Sequence, residues 1–255
     1  MRGTTAVALV IAVWAALTPE AQGQVMRELD PIALEYRILW GEPLAPVGSA
    51  SVAFSPVDTK RGRRLEVEST IQYTLPRDTP FHYEEESKLV CDEEGVASFE
   101  TTARALGKER INVAIRMGDD YHVTTTFQDK KKTKTITSGV QRTNFGLFAG
   151  GFMDEALNQG DLLRDYPLLF PVGGDHQPRQ KYREAVLPFV VSADKRVRSI
   201  VTRIKRPNDD SDRLWNTVEG HQILLRMEEQ TTQGLMVYEL LSVNGVSAGE
   251  SEYIQ

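Results

Sequence analysis

Hydrophobic and polar residues alternate with a period of two between residues 64 and 128, and this is the clearest pattern in the chain. Within residues 64–75, apolar side chains fall on one face and charged or polar side chains on the other. The apolar set is Leu65, Val67, Ile71, Tyr73 and Leu75, and the polar set is Glu66, Glu68, Thr70, Gln72 and Thr74. A period of two is typical of a half-buried β-strand.

Further segments repeat this alternation, and short turns that contain Gly, Asp or Glu separate several of them. The predicted strands are residues 34–40, 47–54, 82–91, 96–105, 109–117, 121–127, 185–191, 196–205, 221–229 and 235–243. Short turns between short strands indicate an antiparallel meander. We therefore predict a mainly β protein, built as a single antiparallel, strongly curved sheet or incomplete β-barrel with one or two short helices.

The first predicted hairpin combines YRILWG at residues 36–41 with PVGSA at residues 46–50. This pattern resembles the first hairpin of uncharacterised secreted bacterial β-proteins, domain-of-unknown-function families that are likened to periplasmic lipoprotein carriers. In those families a long, curved antiparallel sheet follows a signal peptide. The resemblance implies a carrier of apolar cargo and transfers no catalytic residue.

The first 23 residues have the pattern of a secretory signal peptide. Arg2 precedes an apolar run at residues 6–17, and the small residues Ala21 and Gly23 come before the predicted cleavage point. That run is shorter than the roughly 20 residues of a membrane-spanning helix, so an uncleaved anchor is the less favoured alternative. We expect a periplasmic or secreted mature protein that forms one β domain over residues 24–255, with an irregular insert around residues 143–184.

Charge and cysteine content narrow the classes of function. The formal net charge is −6, so no basic face dominates the composition, which argues against nucleic acid as a partner. Cys91 is the sole cysteine and cannot form an internal disulfide. A lone cysteine on a strand favours a small buried apolar residue over a nucleophile.

Two charged runs have both a structural and a functional interpretation. Residues 129–134 hold four lysines at a predicted hairpin tip, where a solvated turn competes with a peripheral contact for acidic headgroups of the envelope or for polyanions. Asp209, Asp210 and Asp212 lie in a second run that lacks the pattern of a calcium loop, so a solvated turn is favoured there as well.

The strongest candidates for ligand binding lie in the predicted insert. Phe145, Phe148 and Phe152 alternate with glycines before a possible short helix at residues 154–159, and they form either a buried connector or an apolar lid over the concave face. Three prolines and a glycine pair predict a long loop over residues 165–180. Asp175 and His176 in that loop are further candidates, although the nucleotide-binding fingerprint is missing.

No catalytic, cofactor or metal motif is recognisable. The four histidines, at positions 82, 122, 176 and 221, have no zinc-binding spacing, and Gly-x-Ser-x-Gly does not occur. Three hypotheses remain, in decreasing order of preference: a non-enzymatic carrier of an apolar or lipid-like ligand, a structural or assembly protein of the cell envelope, and a hydrolase or lyase acting on envelope polymers. The last requires Asp175, His176, Glu219 and His221 to meet within hydrogen-bond reach.

Overall fold

The computed structural model describes residues 30–60, 62–92, 95–118, 120–136, 164–170, 175–205, 211–218, 223–231 and 234–254. Within these residues the chain forms fifteen β-strands and no helix. The strands of the N-terminal half are β1 (Ile32–Trp40), β2 (Ala45–Thr59), β3 (Gly62–Leu75), β4 (Phe81–Asp92), β5 (Gly95–Ala105), β6 (Lys108–Met117), β7 (Asp120–Phe127) and β8 (Lys130–Ile136). The strands of the C-terminal half are β9 (Arg164–Phe170), β10 (Asp175–Ser192), β11 (Lys195–Lys205), β12 (Ser211–Thr217), β13 (Leu224–Thr231), β14 (Gly234–Val243) and β15 (Val246–Ser247).

All fifteen described strands belong to one antiparallel sheet. Its order is β8-β7-β6-β5-β4-β3-β2-β1-β14-β13-β12-β11-β10-β9, and β15 pairs with β14 outside this path. Two meanders therefore meet at the pair formed by β1 and β14. Among the described strands none joins β8 to β9, so hydrogen bonding leaves the sheet open. The predicted single antiparallel sheet is confirmed, and the predicted short helix at residues 154–159 lies outside the described residues.

The period of two in the sequence gives the sheet two unlike faces. In β1, Leu34, Tyr36 and Ile38 are buried while Glu35 and Arg37 are exposed. The face of Leu34 is called the inner face here, and the face of Glu35 the outer face. Inner-face side chains of the two meanders form one hydrophobic cluster, as the alternation predicts.

Contacts between distant strands show that the sheet curls around its inner face. The hydroxyl of Tyr36 in β1 donates to the carbonyl oxygen of Leu224 in β13 at 2.9 Å, reaching across β14. Glu229 in β13 also lies near enough to Tyr73 in β3 to raise the pKa of that phenol. A flat sheet would separate β3 from β13 by roughly 19 Å, since strands lie about 4.8 Å apart. Curling therefore brings the two meanders together.

Residues 165–180 differ from the predicted loop. The described parts form β9 and the start of β10, and Pro167 lies opposite Pro178. Pairing between β10 and β11 begins only at Gln180, so residues 175–179 have β9 as their one partner strand among the described strands. A proline cannot donate a backbone hydrogen bond, and a two-stranded extension at a sheet edge tolerates this.

Two predicted turns are corrected by the structure. The lysine run lies along β8 rather than at the hairpin tip, because Gln128 and Asp129 adopt positive φ and make the turn. Asp212, expected in a solvated turn, lies in β12 with 6% of its surface exposed. The alternation of buried and partly exposed residues around Leu214 in β12 is short, and the acidic residues that precede Leu214 suggested a turn instead of a strand.

Candidate functional site: the inner face

A row of small polar side chains crosses the inner face at right angles to five strands, where an apolar core would be expected. Each member lies opposite the next in the strand register of β3 to β7. The members of this polar row are Ser69, Ser87, Thr101, Asn112 and Thr125. On one side it is bordered by the apolar row of Val67, Leu89, Phe99, Ala114 and Val123.

Most polar groups of the row bind one another or the backbone. The hydroxyl groups of Ser69 and Ser87 share a hydrogen bond of 2.6 Å, and Thr101 donates to the backbone oxygen of Glu86. Thr125 donates to Oδ1 of Asn112 at 2.8 Å. Asn112 is 1% exposed, and in the described part of the chain its Nδ2 atom has no hydrogen-bond partner. A buried donor left unpaired costs free energy, so this amide is a chemically unusual group.

A second polar group on the inner face is built from tyrosines around one carboxyl. The rings of Tyr73 and Tyr83 stack with their centroids 5.0 Å apart, and the phenol of Tyr83 donates to Glu85. Gly48 makes room for Tyr73, because a Cβ atom at position 48 would lie 2.6 Å from the Tyr73 Cβ atom. Tyr238 of β14 lies near enough to interact electrostatically with Tyr73, Tyr83 and Glu85. We call these four residues the tyrosine cluster.

The ionisation behaviour of the tyrosine cluster follows from burial. Burial raises the pKa of Tyr73 to about 12, and the charges of Glu229 and Glu85 add to this rise. Burial also raises the pKa of the Glu85 carboxyl, while the hydrogen bond from Tyr83 acts in the opposite direction. The phenols therefore stay neutral at physiological pH and serve as hydrogen-bonding groups.

Trp40 adds another orphan donor to this face. Its indole Nε1 atom is buried, and no acceptor within the described residues binds it. The ring packs against the hydrophobic cluster at the end of β1, and Gly234 of β14 lies beside it. Asn112 and Trp40 are thus two inner-face donors that a ligand or an ordered water could satisfy.

The outer face has the charge pairing of a solvated sheet. Glu239 binds both Arg37 and Arg226, and Glu184 binds both Arg203 and Arg213. Burial raises the pKa of Glu184, but the hydrogen bonds from its two arginines outweigh this effect and leave the pKa lowered.

The outer face also has a groove of about 630 Å³ across β1 to β5. Small side chains such as Ala33, Ser51 and Ala53 line it. Its acidic members are Glu35, Glu68, Glu86 and Glu100. Lys88 lies among them and binds Glu66 at 2.8 Å and Glu68 at 3.1 Å, so part of this charge is compensated within the sheet.

Of the five candidate ligand residues from the sequence, the structure describes Asp175 and His176. Phe145, Phe148 and Phe152 fall outside the described residues, so their assignment to the ligand stays a prediction. Asp175 and His176 begin β10 and pair with Phe170 and Leu169 of β9. The other residues of the hydrolase hypothesis, Glu219 and His221, also lie outside the described residues.

The sequence did not reveal the polar groups of the inner face, because the apolar residues of β6 suggest that the opposite face is buried. In β6 the apolar residues suggest one buried face, yet Ile115 and Met117 are 50% and 61% exposed, while Asn112 and Ala114 are buried. Pairing of Ala114 with Phe99 sets this register. An asparagine between two apolar residues was the one local sign of the site.

The fold and the inner face define a class: a mainly β protein with one open, curled antiparallel sheet. The chain is similar to a beta-barrel-like protein of the domain of unknown function DUF1849 from Brucella abortus, with a TM-score of 0.59 and 13% sequence identity. The match covers 84% of this chain and 96% of that protein. At this identity the likeness concerns the fold alone. No protein-family model matches the chain, and no curated protein matches it.

The described residues form no helix that is long and apolar enough to cross a membrane. They also contain no group of three His, Cys, Asp or Glu side chains placed to hold a metal ion.

Proposed function

We propose that this protein is an exported, non-enzymatic carrier that binds an apolar, lipid-like molecule on the inner face of its sheet. The observation that carries the proposal is an apolar inner face within a sheet that hydrogen bonding leaves open. β8 and β9 form the two ends of the strand order, and no described strand joins them. A sheet whose two end strands do not pair with each other would give a ligand access to an apolar face without unfolding.

The signal-peptide pattern and the composition of the inner face support the same proposal. Export would place the protein where lipids and their carriers occur, in the periplasm or outside the cell. The inner face combines many apolar side chains with a few polar groups, and this combination is typical of sites for amphipathic small molecules. The phenylalanines at positions 145, 148 and 152 remain proposed ligand contacts.

Tryptophan fluorescence gives a direct test, because the two tryptophans outside the leader lie on different faces. Both indoles pack against the hydrophobic cluster. Trp40 lies opposite Met236 on the inner face, whereas Trp215 lies opposite Arg226 on the outer face, with the guanidinium 5.9 Å from the indole centroid. Residues 24–255 are prepared as Trp215→Phe and as Trp40→Phe, so that each protein reports from one indole. Both are titrated with a fatty acid that is brominated on its chain, since bromine quenches fluorescence only at short range.

We expect the brominated chain to quench Trp40 in a saturable manner and to leave Trp215 nearly unchanged. Native mass spectrometry and organic extraction of the unmodified protein should then reveal a lipid at one copy per chain. Equal quenching of both indoles, or none, together with a bare protein mass, would contradict the carrier function.

The outer groove favours a second candidate, a structural or assembly protein of the envelope. Its mixed acidic and basic rim offers a surface for a partner, and the lysines of β8 offer another. In that case the protein would retain no lipid, and cross-linking through the groove would capture an envelope partner.

A further inference from the structure

We infer that the free edge of β8 binds an acidic, extended segment of a partner protein, which adds to the sheet as one more strand. The free edge is the side of β8 that faces away from β7, and β7 is the one neighbour of β8 among the described strands. The inference goes beyond the carrier function and does not depend on a lipid. It specifies the chemistry of a partner for the β8 lysines.

The turn before β8 determines which backbone groups point to the free edge. Gln128 and Asp129 form a two-residue loop between the paired residues Phe127 and Lys130, and both loop residues have positive φ. This is a type I′ hairpin, in which the two residues that flank the loop hydrogen-bond to each other. In an antiparallel pair every second residue repeats that bonding, and the residues between point their backbone groups away. The residues of β8 that point away from β7 are Lys131, Thr133 and Thr135.

The backbone of the free edge is complete for strand addition. β8 contains no proline, so each of its three outward residues has an N–H donor as well as a C=O acceptor. All three residues are exposed. The register of β8 with β7 has no shift, so the outward groups recur at every second residue along the strand. An extended peptide presents groups at the same spacing and would form main-chain hydrogen bonds with them.

The side chains of β8 determine the charge of the partner. Lys130 and Lys132 are exposed on the inner-face side, Lys131 is exposed on the outer-face side, and the strand contains no acidic residue. Side chains directly opposite on neighbouring strands lie about 5 Å apart, where opposite charges stabilise the pair and like charges destabilise it. Asp or Glu on an added strand would therefore be favoured, whereas the β8 edge of a second copy would be repelled.

The distribution of the lysines over both faces favours a strand over a layer of anionic headgroups. A flat surface contacts one side of a strand at a time, whereas the side chains of an added strand alternate between the two faces. Such a strand would meet Lys132 on one face and Lys131 on the other. Arg110 adds positive charge on the inner-face side, because its guanidinium lies 5.0 Å from the ring centroid of Phe127, which pairs with Lys130.

The test measures binding of a short fluorescent peptide that repeats Glu-Glu-Val, by fluorescence anisotropy with residues 24–255 at low salt. A peptide that repeats Lys-Lys-Val is the control for charge. Vesicles of phosphatidylglycerol are the control for headgroup binding.

A first pair of variants tests the backbone of the free edge. Thr133→Pro removes one outward N–H and leaves every lysine in place. Thr133→Val is the matched control, because both variants lose the hydroxyl that shares a hydrogen bond with Thr124 and proline alone removes the N–H. Thr135→Pro is the second variant if proline is not tolerated at position 133.

A second pair of variants tests the charge. The double variant Lys131→Gln with Lys132→Gln removes two exposed charges from β8. The double variant Lys60→Gln with Lys108→Gln removes the same charge from exposed positions away from the free edge.

We expect the wild type, Thr133→Val and the Lys60 and Lys108 variant to bind the Glu-Glu-Val peptide with equal affinity. Thr133→Pro should bind it about tenfold more weakly, because a main-chain hydrogen bond is lost and the ring obstructs the added strand. The Lys131 and Lys132 variant should bind about threefold more weakly, and wild-type affinity should fall as salt rises. Amide hydrogen exchange at Thr133 and Thr135 should slow when the wild type binds the peptide, and this readout needs no variant.

Equal binding by Thr133→Pro and Thr133→Val, without slower exchange at the outward amides, would overturn strand addition and leave a contact by charge alone. Equal binding of the Lys-Lys-Val peptide would overturn the acidic partner. Failure of the wild type to bind the Glu-Glu-Val peptide would overturn the inference, and vesicle binding in that case would assign the lysines to anionic headgroups. The carrier function is tested separately by the quenching of Trp40, so the two proposals fail on different measurements.

Discussion

The phenol of Tyr83 donates a hydrogen bond to the carboxyl of Glu85, the next residue on the inner face of β4. Glu85 lies opposite Ile71 and Ala103, so apolar side chains flank it on both neighbouring strands. Burial makes its ionised form unfavourable, and the phenol offsets part of this cost. The pair is therefore a point at which pH should affect stability.

We predict that the free energy of unfolding of Glu85→Gln, taken relative to that of the wild type, is higher at pH 8 than at pH 4. Folding raises the pKa of Glu85, so the carboxyl binds a proton more tightly in the folded protein than in the unfolded chain. Stability from this group is full below the unfolded pKa and declines as pH rises towards the folded pKa. Glutamine is neutral at every pH and can still accept from Tyr83. Urea unfolding of both proteins at the two pH values gives the comparison.

The control for this prediction is Glu86→Gln, which changes the neighbouring exposed carboxyl on the outer face. The difference in unfolding free energy between Glu86→Gln and the wild type should change less between pH 4 and pH 8 than the difference for Glu85→Gln does. If Glu85→Gln and Glu86→Gln show the same pH dependence, the burial of Glu85 has no energetic consequence.

Gly48→Ala should destabilise the protein by at least about 2 kcal/mol through overpacking. The added Cβ atom would lie 2.0 Å from the backbone oxygen of Gln72 and 2.6 Å from the Tyr73 Cα atom. Backbone atoms of a central strand cannot move aside without breaking the pairing of β2 with β3. Ser49→Ala is the control on the exposed outer face, where a change within about 0.5 kcal/mol is expected. Chemical denaturation that shows equal stability for both variants would argue against close contact between these strands.

Cys91 should be unreactive in the folded protein. Its thiol is fully buried, and burial raises its pKa to about 12, so little thiolate exists at neutral pH. We expect a thiol reagent to label the native protein slowly and the urea-unfolded protein at once. Cys91→Ser should cost about 1 to 3 kcal/mol, because it buries a hydroxyl among apolar side chains. Rapid native labelling would contradict the expectation of a small buried apolar residue.

The strands were predictable from sequence where alternation and turn residues agree, as in β1 to β5. The pairing of β1 with β14 was not, because it joins residues about 200 positions apart and no local pattern encodes it. The polar row was also hidden. Asn112 becomes an inner-face residue only through the register of β6 with β5, and the apolar residues beside it suggested the opposite face. A site formed by register across five strands leaves no motif in any one of them.

The lysines of β8 should protect the open edge of the sheet against pairing with other copies of the chain. Lys131 and Lys132 are exposed on a strand that has β7 as its one partner among the described strands. An unpaired strand edge is a template for association, and charged side chains disfavour it. We predict that Lys131→Val with Lys132→Val causes self-association that rises with protein concentration, as measured by light scattering. The double variant Lys60→Val with Lys108→Val removes the same charge from exposed positions away from this edge and should remain as dispersed as wild type. If both double variants associate equally, net charge rather than the β8 edge controls solubility.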